Sequence, residues 1–256
     1  MIVASALSYH VDVPGLIDMV KIPEFFTSAM RYSNEHKLQT RAKILEVASA
    51  EMLVHGAAGI SIANVMAEAG LTHGGFYAHF KSKGDLIAEV IRHTFDSRYA
   101  YLVSDVSESG PAEKLTNFID TYLSIRHRDD PKRGCPVPAL ASETSRLCTM
   151  ARTRFHEGVS RLNASIAELL VQLGEKDPAG LASSILSEMF GALVIARATT
   201  SRKDASTILA ASKQRIMQRL GLQSKGGVGA STSGTQKRHT TSLLPTGTKK
   251  RAYSAR

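Results

Sequence analysis

The segment SIANVMAEAGLTHGGFYAHF, residues 61 to 80, constrains the fold of this chain more than any other stretch. Its first half carries apolar residues at i, i+3, i+4 and i+7, the spacing of one helix face: Ile62, Val65, Met66 and Ala69. Ser61 precedes that face as an N-cap, and Gly70 comes after it, where a left-handed residue commonly ends a helix. The segment therefore predicts a short amphipathic helix and then a glycine turn.

A second short helix is predicted after the turn, with Thr72 as its N-cap and with Phe76 and Phe80 one turn apart on its buried face. The opposite face presents His73, Gly75, Tyr77 and His79. A helix this short is not stable in isolation, so we expect its neighbours to hold it. Two short helices joined in this way are typical of a helix-turn-helix, which places its second helix in the major groove of DNA.

Two adjacent glycines, Gly74 and Gly75, stand inside the second helix. Glycine costs about 1 kcal/mol relative to alanine in a helix, so the pair needs a reason. One interpretation is a poorly formed helix start. The other is that the missing side chains let backbone amides approach phosphate or a base edge. We favour the second, because the flanking residues are plausible hydrogen-bond donors to DNA.

The segment from Met30 to Ile91 resembles the DNA-binding domain of the TetR family of bacterial transcriptional regulators. The resemblance covers about a quarter of the chain. It rests on residues that stand at the family's spacing, namely Tyr77, Phe80, Lys81, Lys83 and the pair Asp85-Leu86. His73 and Gly75 depart from the basic or hydroxyl residues that many relatives carry, so the resemblance does not give the operator sequence.

The resemblance implies an all-α protein with a three-helix helix-turn-helix domain, followed by a helical-bundle domain for ligand binding and dimerisation. It also implies a homodimeric repressor that binds a palindromic double-stranded operator and is released by a small-molecule effector, with no cofactor. The alternative is a helical small-molecule-binding protein or an enzyme without specific DNA recognition. Motifs of a nucleophile elbow, a dinucleotide site or a P-loop are absent from the sequence, so we expect no enzyme.

Four regions are predicted along the chain. Residues 1–29 share no pattern with the rest of the chain, and we interpret them as a disordered extension or a start-site overcall. Residues 30–82 form the DNA-binding domain, and residues 83–222 form the ligand-binding and dimerisation domain. Residues 223–256, rich in Gly, Ser, Thr and Lys, are predicted to be a disordered basic tail.

Nine residues are predicted to contact DNA. We assign phosphate contacts mainly to side chains after the glycine turn and reserve a base edge for His73, since phosphate contacts position a protein and base contacts specify a sequence. Tyr77 could instead pack half-buried against the first helix, and His79 could simply face solvent. The full set is Ser61, Thr72, His73, Gly74, Gly75, Tyr77, His79, Lys81 and Lys83.

The first helix is predicted from about His36 to His55, ended by Gly56 and Gly59, and a helix capped by Ser82 and Asp85 should run toward Val103. Three prolines predict an irregular loop in HRDDPKRGCPVP. The body helices are predicted at residues 112–126, 139–145, 149–173, 179–200 and 203–220.

The last two predicted helices carry broad apolar faces that either the rest of the domain or a second copy must cover. These faces comprise Leu181, Ile185, Met189, Leu193 and Ala196 on one helix, and Ile208, Ala211, Ile216 and Leu220 on the other. The resemblance implies a second copy, because family members pair these two helices into a four-helix interface.

Candidate chemistry in the body centres on Cys135, which comes directly after Lys132-Arg133-Gly134. Nearby cations lower a thiol's pKa, so Cys135 is a candidate redox sensor, although a small packed core residue is the more common case. Cys148 is expected in the core. An apolar ligand pocket could involve Met150, Phe155, Met189 and Phe190, although residues at such helical spacing are more often core. Histidines and cysteines lack the spacing of a zinc site, and no metal is expected.

Net charge adds little to the DNA argument. The chain carries +9, but residues 223–256 contain seven Lys or Arg residues and no acid. Two cysteines fit a reducing compartment, and no apolar run in the sequence reaches the length of a transmembrane helix. Residues 1–20 lack the basic start of a secretory signal. We therefore expect a cytoplasmic protein that does not associate with membranes, and the resemblance implies a bacterial one.

Overall fold

The structure is a computed structural model that describes the backbone of residues 24–103 and 109–222, and side chains of residues 35–99 and 109–222. Within these ranges the chain is helical and has no strand. The helices are α1 (Glu24–Gly59), α2 (Ile62–Glu68), α3 (Lys83–Val103), α4 (Pro111–Tyr122), α5 (Ile125–Asp129), α6 (Pro136–Leu140), α7 (Thr149–Gln172), α8 (Pro178–Ala198) and α9 (Arg202–Arg219). Short 3₁₀ turns span His73–Ala78, Pro131–Arg133 and Ala141–Arg146. The predicted all-α fold is confirmed.

Helix α1 begins at Glu24, earlier than both the predicted helix start at His36 and the predicted domain start at Met30. It bends at Gly56, where φ is 74° and ψ is 173°, a region that essentially only glycine occupies. The predicted break at this glycine is therefore present, as a kink before the last turn of the helix. Most of the predicted extension, residues 1–23, lies outside the described residues, as does the predicted tail at 223–256.

The N-terminal helices enclose an apolar core around the 73–78 turn. Ile44, Ala48 and Met52 from α1 meet Val65 and Met66 from α2, and all five are buried. Helix α3 then runs from this core into the body, where it packs along α7. Helix α7 also packs on α8, and α8 on α9. One helix, α3, thus contacts both α1 and α7.

The proline-rich segment between α4 and α7 is more regular than predicted. It contains α5, the 131–133 turn and α6, because Pro131 and Pro136 stand in the first turn of these short helices. At that position the missing N–H has no helical partner to lose, and the fixed φ of proline favours helix. The prediction that these prolines exclude regular structure was therefore wrong.

Candidate functional site

Helix α2 and the turn after it have the predicted ends. The Ser61 hydroxyl accepts a hydrogen bond from the Asn64 amide at 3.4 Å. Gly70 has φ of 71°, and the Leu71 amide donates to the Met66 carbonyl at 2.8 Å, as in a Schellman-type helix end. Ser61 is therefore a structural cap, and the turn brings the next segment across α2.

The second predicted helix is a six-residue 3₁₀ helix rather than an α-helix. Phe76 and Phe80 are buried as predicted, with ring centroids 5.6 Å apart. Thr72 is the N-cap residue, but its hydroxyl makes no capping bond; its carbonyl accepts the Gly75 amide at 3.0 Å. The predicted hydroxyl cap was wrong, because the tight 3₁₀ geometry closes the turn through the backbone.

The outward side of the 73–78 turn and the residues beside it are polar and open to solvent. Thr72, His73, Gly74, Lys81 and Lys83 are exposed, and Gly75 is half-buried.

Tyr77 is 67% exposed and touches Phe76 edge-on at 5.2 Å. The alternative of a half-buried Tyr77 is therefore wrong, and the ring stands free on the same polar surface.

His79 is less exposed than most other residues of this polar surface. Its ring is half-buried, and its Nδ1 has no hydrogen-bond partner among the described residues. Burial, followed by the charges of Lys37 and Arg41, lowers the pKa of His79. The lowered pKa disfavours the charged imidazolium, and the phosphate contact of His79 stays a prediction.

The start of α3 is fixed by the residues predicted to cap it. The Ser82 hydroxyl accepts the Asp85 amide at 3.1 Å, and the Asp85 carboxylate accepts the Lys81 amide at 2.9 Å. The Lys83 ammonium donates to the Ala58 carbonyl at 3.3 Å. Lys83 therefore joins α3 to the end of α1, which gives it a structural contact besides any contact with DNA.

Neither glycine of the 73–78 turn is required by the fold of one chain. Neither has a positive φ. A Cβ on Gly74 would meet no atom within 4 Å, and a Cβ on Gly75 would make only ordinary contacts of 3.6 and 3.7 Å. The structure of the chain therefore leaves room for a side chain at position 74, and the predicted contact of Gly74 with DNA stays a prediction.

Arg41 holds the turn in place and was not predicted. Its guanidinium lies 4.2 Å from the centroid of the Phe80 ring. It also donates to the His79 carbonyl and, at 3.0 Å, to the Glu89 carboxylate on α3. Arg41 stands three residues before Ile44 on the apolar stripe of α1, and a charge within such a stripe was the signal that could have revealed it.

One carboxylate ties the body to the N-terminal helices. Glu143, in the 141–146 turn, accepts hydrogen bonds from the Ala57 amide at 3.1 Å and the Ala58 amide at 3.3 Å. A Cβ on Gly56 would lie 2.0 Å from a Glu143 carboxylate oxygen. The Glu143 carboxylate thus occupies the space that a side chain at position 56 would need.

A cavity of about 360 Å³ lies between α3, α4, α5 and the segment that leads to α6. It is lined by aromatic rings and arginines, among them Tyr99 and Tyr122 and Arg98 and Arg126. The cavity therefore touches α3, the helix that reaches the 73–78 turn.

The four residues predicted for a ligand pocket do not line this cavity. Met150 is 46% exposed, and Met189 is fully buried. Phe155 packs edge-on against Phe95 at 6.0 Å, and Phe190 lies 5.9 Å from Tyr122. Three of the four are packing residues, as their helical spacing also allowed.

Cys135 is buried beside the cavity, and its Sγ accepts the Val137 amide at 3.3 Å. Burial raises the pKa of the thiol, and the neighbouring Arg133 points instead to Asp130 at 2.9 Å. The predicted activation by adjacent cations was therefore wrong, and the structure favours a packed core residue. Cys148, expected in the core, is exposed.

His127 connects the elements around the cavity. Its Nδ1 lies 2.8 Å from the Tyr122 carbonyl, and its Nε2 accepts the Cys135 amide at 3.3 Å. Burial lowers the pKa of His127, and a neutral ring with a proton on Nδ1 satisfies both contacts. Sequence reasoning missed His127 because it was placed in an irregular loop.

Two family models match the chain. Residues 44–90 match the model of the bacterial regulatory proteins of the tetR family. Residues 111–214 match the model of the transcriptional regulator LmrA/YxaF-like C-terminal domain. The two matches cover the region of the 73–78 turn and the region of the cavity.

The curated relatives that match the chain include proteins named HTH-type transcriptional repressor KstR2 from two species. The one from Mycolicibacterium smegmatis is 30% identical over 110 residues, which cover 38% of this chain and 53% of that protein. The one from Mycobacterium tuberculosis is 27% identical over 121 residues, covering 46% and 57%. The chain thus spans about half the length of the curated relatives it matches.

Solved structures share the fold. A TetR transcriptional regulator from Chloroflexus aurantiacus is 26% identical, with a TM-score of 0.59 over 74% of this chain and 98% of that one. The reduced form of NemR from Escherichia coli is 17% identical, with a TM-score of 0.62 over 70% and 96%. At that identity the NemR structure shows a common fold alone.

Proposed function

We propose, because this chain belongs to the TetR family of bacterial transcriptional regulators, that it is a dimeric repressor released from a palindromic operator by a small ligand. The observation that carries the proposal is the exposed 73–78 turn, which presents a glycine that the fold does not need. The KstR2 relatives are named repressors, which supports the sign of regulation.

The surface around the turn suits the backbone of DNA. Lys81 and the Thr72 hydroxyl are exposed beside Tyr77, and all three carry donors for phosphate oxygens. His73 is exposed at the N-terminal end of the turn, where a helix-turn-helix contacts base edges. Arg41 holds the turn against α1 and α3, which supplies the rigidity that so short a helix lacks.

Helices α8 and α9 supply the surface for a second copy. The predicted apolar residues Ile185, Met189, Leu193 and Ala196 are buried within the chain, so the domain itself covers that face. A different face stays open, where Val194 is 46% and Ile195 is 56% exposed.

Contrary to the expectation that no apolar run is long enough, α8 is the one helix in the described ranges that is long and apolar enough to cross a membrane by length and composition. A single such helix is weak support for a membrane span, since core helices of soluble proteins also meet these criteria.

Pairing with a second copy would cover the open face of α8 and set two 73–78 turns about 34–36 Å apart for adjacent half-sites.

Release by a ligand requires that ligand and DNA prefer different conformations. The cavity touches α3 through Arg98 and Tyr99, and α3 begins directly after the 73–78 turn. The segment from Cys135 also leads through α6 to Glu143, which binds the end of α1. A ligand that moves either segment would alter the position of the DNA-binding turns.

Replacing Gly74 by alanine tests the proposed DNA contact. The new methyl meets no atom of the chain, and alanine favours helix by up to about 1 kcal/mol over glycine, so the melting temperature should hold or rise. Affinity for DNA flanking the gene should fall on the order of tenfold, as expected for a lost close contact. Fluorescence anisotropy with labelled duplexes measures this change.

Gly110 provides the matched control, because a Cβ there also meets no atom within 4 Å and the residue lies in the body. Gly110→Ala should bind DNA as the unmodified chain does. Equal affinities for the Gly74→Ala and Gly110→Ala proteins would show that the turn does not approach DNA closely.

A further inference from the structure

The cavity between α3, α4 and α5 combines an apolar wall with unpaired positive charge. Its wall is a run of aromatic rings: Tyr99 meets Phe118 edge-on at 6.3 Å, and Phe118 lies 5.8 Å from Tyr122. A volume of about 360 Å³ falls within the range of small-molecule sites, about 300–1,000 Å³. The rings would bury the apolar part of a ligand.

Three arginines and a single acid line the cavity. The arginines are Arg98, Arg126 and Arg133, and the acid is Asp130. Asp130 is engaged by Arg133, whose Nε lies 2.9 Å from its carboxylate. Among the side chains that the structure describes, neither Arg98 nor Arg126 forms an ion pair. The cavity thus carries an excess of positive charge.

Arg98 has unused hydrogen-bonding capacity. Its Nε is buried without a partner among the described residues, and its terminal nitrogen donates to the Lys132 carbonyl at a long distance of 3.4 Å. A buried donor left unpaired is unfavourable, because the group has lost its hydrogen bonds to water without replacing them. An acceptor brought in by a ligand would remove that penalty.

A further guanidinium lies behind the cavity wall. Arg197, from α8, is half-buried and donates to the His127 carbonyl at 3.1 Å, while its Nε has no partner among the described residues. No carboxylate is paired with it within the described ranges. Burial lowers the pKa of His127, which favours the neutral form of its ring.

We propose that this cavity binds an organic anion with an aromatic or other apolar body, its anionic group facing Arg98 and Arg126. Arginine forms strong charge-assisted bonds to carboxylates and phosphates, and the rings of Phe118 and Tyr122 take up the apolar body. The inference rests on the proposed function, since it names the chemical class of the effector. The ligand bridges α3, the helix that reaches the 73–78 turn, with α4 and α5.

Calorimetric titration of the full chain without DNA, at low and at physiological salt, tests this inference. The probes are 2-naphthoate and its neutral counterpart 2-naphthamide, which have nearly the same size. Naphthoate should bind on the order of tenfold more tightly, equivalent to about 1.4 kcal/mol. The preference should shrink as salt is raised, because exposed charge is screened.

The double substitution of Arg98→Gln and Arg126→Gln should abolish the preference for naphthoate while leaving naphthamide binding unchanged. Arg126 is exposed, so Arg126→Gln alone, expected to reduce the preference, serves if the double variant fails to fold. Arg152→Gln removes an exposed charge from α7, away from the cavity, and should change neither affinity.

Thr121→Trp places a bulky ring at the cavity lining and should weaken both probes, which locates the site. Equal affinity for the two probes, no binding of either, or a preference that survives the double substitution would overturn the proposal. Because no DNA is present, these results stand apart from whether the chain recognises an operator.

Discussion

Replacing Gly56 by alanine is expected to lower the free energy of unfolding by about 3 kcal/mol. Gly56 has φ of 74° and ψ of 173°, a conformation that costs other residues about 1–3 kcal/mol. The added Cβ would also lie 2.0 Å from a carboxylate oxygen of Glu143. Backbone strain at Gly56 is therefore combined with displacement of the Glu143 carboxylate from the Ala57 and Ala58 amides, which should weaken the contact between α1 and the body.

Thermal unfolding at a fixed protein concentration measures this effect. A loss of about 3 kcal/mol corresponds to a fall in melting temperature of about 6–12 °C for a chain of this size. Gly74→Ala is the control, since its Cβ meets no atom, and its melting temperature should not fall. Unchanged melting of the Gly56→Ala protein would contradict the kinked geometry of α1.

A double-mutant cycle separates the two causes. In a Glu143→Ala background the clash is absent, whereas the backbone strain at Gly56 persists. Gly56→Ala should then be less destabilising than in the unmodified chain. The difference between the two backgrounds measures the coupling between the body and α1.

Val194→Asp is expected to convert a dimer into a monomer. Val194 is 46% exposed on the open face of α8, and a carboxylate buried in an apolar interface is strongly unfavourable. Two-fold symmetry repeats the penalty on both copies. On the order of 4 kcal/mol would raise the dimer dissociation constant about a thousandfold.

Light scattering after size-exclusion chromatography measures the mass. The unmodified chain of 27.6 kDa should elute as a species of about 55 kDa, twice that mass, and Val194→Asp as a single chain. Val54→Asp is the matched control, because Val54 is 40% exposed on α1, far from α8 in sequence. A dimer that survives Val194→Asp, or dissociates equally with Val54→Asp, would place the interface elsewhere.

Loss of the dimer should also weaken binding to a palindrome. A monomer contacts one half-site through one 73–78 turn. A dimer joins two such turns, so binding at the first half-site raises the effective concentration of the second turn at the other half-site. DNA affinity of Val194→Asp should therefore fall together with the mass, whereas Val54→Asp should retain both.

Local features of the N-terminal helices were predictable from the sequence. The cap at Ser61, the glycine end at Gly70 and the buried pair Phe76 and Phe80 depend on residues within one or two turns of each other. Such contacts leave a pattern in the sequence that residue spacing reveals.

Contacts between distant segments were not predictable in the same way. Arg41 meets Glu89 across 48 positions, and Glu143 meets Ala57 across 86. The cavity likewise combines residues of α3 with residues of α4, α5 and the segment before α6. No local periodicity marks such convergence, which explains why four residues of α7 and α8 were predicted for the pocket instead.

The buried environment of Cys135 shows a second limit. Its neighbours in sequence are cations, which suggested a lowered pKa, but burial dominates in the folded chain and raises it. Arg133 is close to Cys135 in sequence, but its guanidinium bonds to the Asp130 carboxylate instead. The same segment was predicted to be irregular, although its prolines begin short helices.

The central claim, sequence-specific binding of DNA through the 73–78 turn, is tested most directly by a nuclease footprint on DNA flanking the gene. The full chain and the Tyr77→Ala protein are compared at about 150 mM salt, where nonspecific binding is weak. Tyr77 is 67% exposed, so its removal should leave the fold intact. We predict a protected two-fold symmetric site that is lost in Tyr77→Ala. Absence of protection, or protection that Tyr77→Ala retains, would contradict the claim and favour a helical small-molecule-binding protein without specific DNA recognition.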